Sequence, residues 1–182
     1  MMKRKYLMFT IMPILVIGLV VVACQKDTNK TAYLKVKMVD QPIDYDSVNV
    51  EIVNVSVHYG GSDSVSGWTD LPTNVGMYNL LDLQNGVTAA ITDGGLIPTG
   101  NISQMRLLLG DDNYVVIDSI VNPLDLSSQD KTGLKINLNT EIEAQDSVEI
   151  TIDFDAEKSI VQTGNGAYKL KPVVKLEEVI FF

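Results

Sequence analysis

The chain has 182 residues, 23 of them acidic and 14 basic, for a formal net charge of −9. That balance argues against nucleic acid as a partner and against electrostatic docking on anionic lipid, since both need clustered Lys and Arg. A single cysteine and a single histidine exclude an internal disulfide and a closed Cys/His zinc site.

The first 24 residues read as an export segment. Lys3, Arg4 and Lys5 precede an apolar run from Tyr6 to Ala23, and Cys24 follows. Basic residues ahead of such a run hold the N-terminus on the cytoplasmic side. The run spans 18 residues, slightly short of the roughly 20 that a membrane anchor helix needs. Val21 fits poorly at the −3 position of an ordinary secretory cleavage site. Val21-Val22-Ala23-Cys24 instead resembles the lipobox of bacterial lipoproteins. The resemblance implies a signal peptide over 1–23, cleavage between Ala23 and Cys24, and acylation of Cys24 with diacylglycerol and a fatty acid such as palmitate. Several acyl chains then hold the protein in a membrane, each buried methylene contributing about 0.8 kcal/mol. Cleavage would remove three basic residues and no acidic one, leaving 159 residues and a charge of −12. The expected membrane partner is therefore lipid reached through Cys24 alone.

Residues 24–30 form a polar tether. Within it, Gln25-Lys26-Asp27 resembles the surface-export signal of outer-membrane lipoproteins, which implies an outer-membrane location exposed to the outside.

From residue 31 to 182 the pattern has period 2, the signature of half-buried strands in one domain. Leu34, Val36 and Met38 alternate with Lys35 and Lys37. Val48, Val50 and Ile52 alternate with polar residues, and then the phase flips to Val53, Val55 and Val57. A one-residue slip reverses every side chain, so a bulge or a change of sheet is expected near Ile52-Val53. A turn or two of helix is expected near Val87 to Ile91. Further strands are expected at Met105/Leu107/Leu109, Tyr114 to Ile117, Leu134/Ile136/Leu138, Val148/Ile150/Ile152/Phe154 and Tyr168/Leu170/Pro172/Val174. Pro172 offers no N–H, which places that last strand at an edge or bends it into one. Tight turns are expected at Asn85-Gly86, Gly110-Asp111-Asp112-Asn113 and Gly164-Asn165-Gly166, and a Gly/Ser-rich loop over Tyr59 to Gly67. Many short strands with such connections predict an all-β, antiparallel β-sandwich.

Several stretches together resemble the lipoprotein domain catalogued as domain of unknown function 4382. They are Leu80-Leu81-Asp82-Leu83-Gln84-Asn85-Gly86, Ile97-Pro98-Thr99-Gly100-Asn101-Ile102 leading into Gln104-Met105-Arg106-Leu107, Gly110-Asp111-Asp112-Asn113, Asp153-Phe154-Asp155-Ala156 and Leu170-Lys171-Pro172-Val173. The resemblance covers nearly all of Thr31 to Glu177. It implies an immunoglobulin- or prealbumin-like sandwich and carries no catalytic residues with it.

The chemistry-bearing residues point to binding before catalysis. His58 shares a strand phase with Asn54 and Ser56, and there is no Gly-x-Ser-x-Gly elbow. Carboxylates are more promising. Asp40, Asp44 and Asp46 flank Pro42, Asp111 and Asp112 share a second turn, and Asp153 and Asp155 follow Glu149 and Thr151 on one strand phase. Converging loops of this kind supply the six to eight oxygens that calcium takes, so these seven aspartates are candidate calcium ligands, although a solvated turn uses Asp equally well. Trp68, Tyr59 and Tyr78 lie around the Gly/Ser-rich loop and are candidates for stacking on sugar rings, although a lone Trp in a sandwich is more often core. The expectation is a lipid-anchored, non-enzymatic sandwich that binds or scaffolds a glycan or protein at the cell envelope. A calcium- or glycan-binding module of an uptake or adhesion system is the alternative, and a carboxylate hydrolase ranks behind both. No cofactor is expected apart from calcium.

Overall fold

The computed structural model describes residues 30–41, 44–60 and 67–182. The signal peptide, Ala23, Cys24 and the Gln25-Lys26-Asp27 signal lie outside the described residues.

Fourteen strands are present among the described residues. They are β1 (Thr31–Val39), β2 (Ser47–Tyr59), β3 (Gly67–Asp70), β4 (Gly76–Asn79), β5 (Ala89–Ala90), β6 (Gly95–Pro98), β7 (Gly100–Leu109), β8 (Tyr114–Ile117), β9 (Ile120–Leu126), β10 (Leu134–Ile142), β11 (Ser147–Phe154), β12 (Ile160–Gln162), β13 (Tyr168–Leu170) and β14 (Val174–Phe181). One α-helical turn, α1 (Ala156–Ser159), follows β11, and a 3-10 turn covers Leu80–Leu83.

The strands form two sheets. The smaller runs β14-β11-β1-β5, with β6 also paired to β1, and the larger runs β10-β7-β2-β8-β9-β13-β12, with β3 and β4 also paired to β2. The expected period-2 faces make the interior. Leu34, Val36 and Met38 on β1 and Val148, Ile150, Ile152 and Phe154 on β11 are buried, as are Val55, Val57, Met105, Leu107, Ile136 and Leu138 on the larger sheet. Burying each such side chain stabilises the fold by about 1.5–3 kcal/mol.

The β-sandwich is as the sequence implies, but its sheets are mixed and not purely antiparallel. β1 runs parallel to β11 over Tyr33↔Ser147 to Val39↔Asp153, and β13 runs parallel to β9. The phase flip in β2 is a bulge: Ile52 pairs with Leu109 and Asn54 with Leu108, which leaves Val53 extra and exposed. Three local expectations are corrected. Residues 87–91 form extended chain with β5 and no helix, because Ala89 and Ala90 pair with Met38 and Lys37. Gly110 to Asn113 does not reverse the chain. It links β7 and β8, which both run antiparallel to the same partner, β2, while Gly110 N–H donates to the Glu51 carbonyl and Glu51 N–H donates to Asn113 Oδ1. The stretch through Pro172 is two strands, not one. The missing N–H of Pro172 ends β13, and the chain crosses from the larger sheet to β14 at the edge of the smaller.

Candidate acidic cleft

At the end of the smaller sheet, β1 and β11 finish side by side, since Val39 is paired with Asp153. Asp40 leaves β1 there, and Asp155 leaves β11 as the N-cap of α1. A cleft of about 480 Å³ opens over this point, lined by Asp40, Glu149, Thr151, Asp153, Glu177 and Glu178, with Lys37, Val39, Gln41, Asn85, Gly86 and Thr88 completing it. Alternation along β11 puts Glu149, Thr151 and Asp153 on one face, as the sequence indicates. The two glutamates reach the cleft by a different device. Thr151 pairs with Glu178 but Ile152 with Leu176, so Glu177 is the extra residue of a bulge and both glutamates line one surface.

The floor is buried and unevenly satisfied. Asp40 and Asp153 are 5% and 2% exposed. Asp40 Oδ1 accepts from Ala156 N–H at 3.0 Å, and Asp153 Oδ2 accepts from Gln41 Nε2 at 2.9 Å and from the Lys175 ammonium at 3.0 Å. Asp40 Oδ2 and Asp153 Oδ1 have no hydrogen-bond partner among the described residues. Asp155 is fully engaged: Lys158 donates to it from its backbone N–H at 3.0 Å and from its ammonium at 2.5 Å.

These surroundings set the charges. Burial pushes the Asp40 carboxyl up to about 6, against the pull of the Ala156 and Gln41 N–H groups and with repulsion from Asp153 and Asp155 adding to it. For Asp155, burial acts upward, but the Lys158 hydrogen bonds and charge outweigh it and hold the carboxyl below its ordinary value. The partner ammoniums of Lys158 and Lys175 are raised, by Asp155 and Asp153 respectively.

The Asp40 shift has a sign that can be checked. A carboxyl that keeps its proton to about pH 6 in the fold, but only to 3.8 when unfolded, contributes stability at low pH. That contribution is lost as pH rises from about 4 to about 6, at a cost on the order of 1–2 kcal/mol. Asp40→Asn keeps an acceptor for Ala156 and removes the charge. Above pH 6 it is expected to melt roughly 3–6 °C higher than the parent chain, with the difference shrinking toward pH 4. Melting curves from pH 4 to 8 test this, and an unchanged pH slope in the variant would assign the titration to another group.

The structure brings together three of the seven aspartates singled out by sequence. Asp40 and Asp153 line the cleft, and Asp155 lies beside it, near enough to repel the charge of Asp40. The others serve separate turns. Asp46 Oδ2 accepts from Ser119 N–H at 2.7 Å, Asp111 is an exposed partner of Lys131 at 2.6 Å, Asp112 donates its N–H to Glu51 Oε2, and Asp44 is exposed. Among the described residues, no three His, Cys, Asp or Glu side chains are grouped to hold a metal ion. Glu177, Glu178 and Lys175 were not among the residues singled out, although the bulge shows in the sequence as a flip of phase from Val174 and Leu176 to Val179.

His58 is half-buried on β2. Its Nδ1 lies 3.0 Å from Ser103 Oγ, and that hydroxyl is also 3.1 Å from the His58 carbonyl, to which it can donate. The aromatic trio separates. Tyr59 is buried, with its hydroxyl donating to the Pro98 carbonyl at 2.8 Å and pushed up to about 12 by burial. Tyr78 donates to the Asn74 carbonyl at 2.6 Å. Trp68 lies outside the core, half-exposed, with the His58 ring edge-on at 5.1 Å.

Over residues 31–172 the chain matches the family described as a domain of unknown function, DUF4382. The chain belongs to the DUF4382 family. No curated protein and no solved structure matches it significantly. Among the described residues of this DUF4382 chain, no helix is long and apolar enough to cross a membrane.

Proposed function

We propose that this DUF4382 chain is a lipid-anchored, non-enzymatic binding protein of the cell envelope, tethered by Cys24 and carried to the outer face of the outer membrane. The cleft is its binding site. The observation that carries this reading is the charge of the cleft: five carboxylates, on Asp40, Glu149, Asp153, Glu177 and Glu178, outnumber the two ammonium groups set against them, Lys37 and the Lys175 that pairs with Asp153 and Glu177. Lys37 is already paired with Glu149 at 2.6 Å. A concave site of that composition favours a cationic ligand, such as an ammonium group. A second reading is calcium at the floor. It is favoured by the buried, unpartnered Asp40 Oδ2 and Asp153 Oδ1, which are hard oxygen donors.

Calorimetric titration of the full chain in detergent at pH 7.5 separates the two, using spermidine in one series and calcium chloride in the other. Saturable heat with either probe, lost in Glu178→Gln for spermidine and in Asp153→Asn for calcium, supports the corresponding ligand. No heat from either probe would remove the cleft as a binding site.

A further inference from the structure

The outer face of the larger sheet, on the opposite side of the sandwich, carries a second constellation. Strand register sets it out in two rows. Trp68, His58, Gln104 and Asn137 lie abreast on β3, β2, β7 and β10. Asp70, Ser56, Arg106 and Lys135 lie abreast in the next row. Their neighbours Val57, Met105 and Ile136 are buried in the core, so alternation turns both rows outward. Strands about 4.8 Å apart make each row about 14 Å long, enough for a short oligosaccharide.

Arg106 is held in place. Its Nε donates to Ser56 Oγ at 3.2 Å, and its guanidinium carbon lies 4.4 Å from the centre of the Trp68 ring. Its stem is flanked by Gly133, at φ +98°, where a Cβ would come within 2.7 Å of Arg106 Cγ. Among the described residues Arg106 forms no ion pair, so its two terminal amino groups keep their donors. Gln104 Nε2 donates to Asn137 Oδ1 at 3.0 Å, which leaves further amide donors and acceptors beside it. Asp70, the one carboxylate of the two rows, is engaged by Asn54 at 2.8 Å. On a chain of net charge −9, these two rows carry two cations, Arg106 and Lys135, against the single carboxylate of Asp70.

We infer that this face is a binding platform for an acidic saccharide, with Arg106 gripping a carboxylate or sulfate group and Trp68, Gln104 and Asn137 taking the sugar rings. The fork of a guanidinium matches a planar carboxylate or a sulfate. An aromatic ring beside carboxamides supplies the mixed apolar and hydrogen-bonding contacts that sugars need. The platform stands apart from the acidic cleft and does not depend on it.

Trp68 is the only tryptophan, so its emission reports on this face alone. The full chain in detergent with EDTA is titrated with oligogalacturonate, with uncharged dextran as the control. Expected is a saturable change in emission with oligogalacturonate and none with dextran, an affinity at least tenfold weaker in Arg106→Gln, and several-fold weaker in the exposed Lys135→Gln. Melting curves of both variants show whether either has merely unfolded, and Lys135→Gln carries the test if Arg106→Gln does. No saturable change, an equal response to dextran, or unchanged affinity in folded variants would each overturn the inference.

Discussion

Truncating Phe154 to Ala lowers the free energy of unfolding by about 3–5 kcal/mol. Phe154 is fully buried at the end of β11, a strand held between β1 and β14. A cavity left there has strands on both sides that cannot close in without disturbing the ladders Val39↔Asp153 and Phe154↔Val174. Domains of this size are stable by about 5–15 kcal/mol, so the variant loses roughly a fifth or more of the total. Urea denaturation followed by far-UV circular dichroism measures the difference. Phe182, 78% exposed, is the matched control, and its truncation to Ala is expected to change stability by no more than about 0.5 kcal/mol. A Phe154→Ala loss below about 1 kcal/mol would contradict its place between the sheets.

The second large effect is all-or-none. Cys24→Ala is expected to abolish fatty-acid labelling and to move the chain out of the detergent-extracted membrane fraction. The chain has no other thiol, so no second residue can carry the thioether. Growth with radiolabelled palmitate, followed by immunoprecipitation, reads the result directly. Undiminished label would refute the lipobox reading of Val21-Val22-Ala23-Cys24. This outcome is independent of both binding sites.

The core was legible because alternation is a local property. Leu34/Val36/Met38, Met105/Leu107/Leu109 and Val148/Ile150/Ile152/Phe154 follow period 2, and each of these residues is buried. The β2 bulge was legible for the same reason, as a flip of phase. Pairing was not legible, because the parallel match of β1 with β11 depends on how more than a hundred intervening residues bring the chain back. The site divided along the same line. Asp40 stood out beside Pro42 in a turn, and Asp153 on the polar phase of a strand. Their meeting follows from the β1–β11 register, and Glu177 and Glu178 join them through an irregularity in the ladder. The outer face of the larger sheet was harder still. Trp68 was visible in the sequence, but its row with Gln104 and Asn137 exists only where β7 and β10, distant in the chain, join the β2–β3 pair.

The position of β1 also bears on mechanics. The described chain enters the fold at residue 30, directly into a strand bonded on both edges, to β11 on one side and to β5 and β6 on the other. Tension applied at Lys30 along the strand axis loads these ladders in shear. Bonds loaded that way share the force and yield together, whereas an edge hairpin unzips one bond at a time. A domain held by its N-terminus in flowing medium would thus resist extraction by its tether more strongly than its thermodynamic stability alone implies.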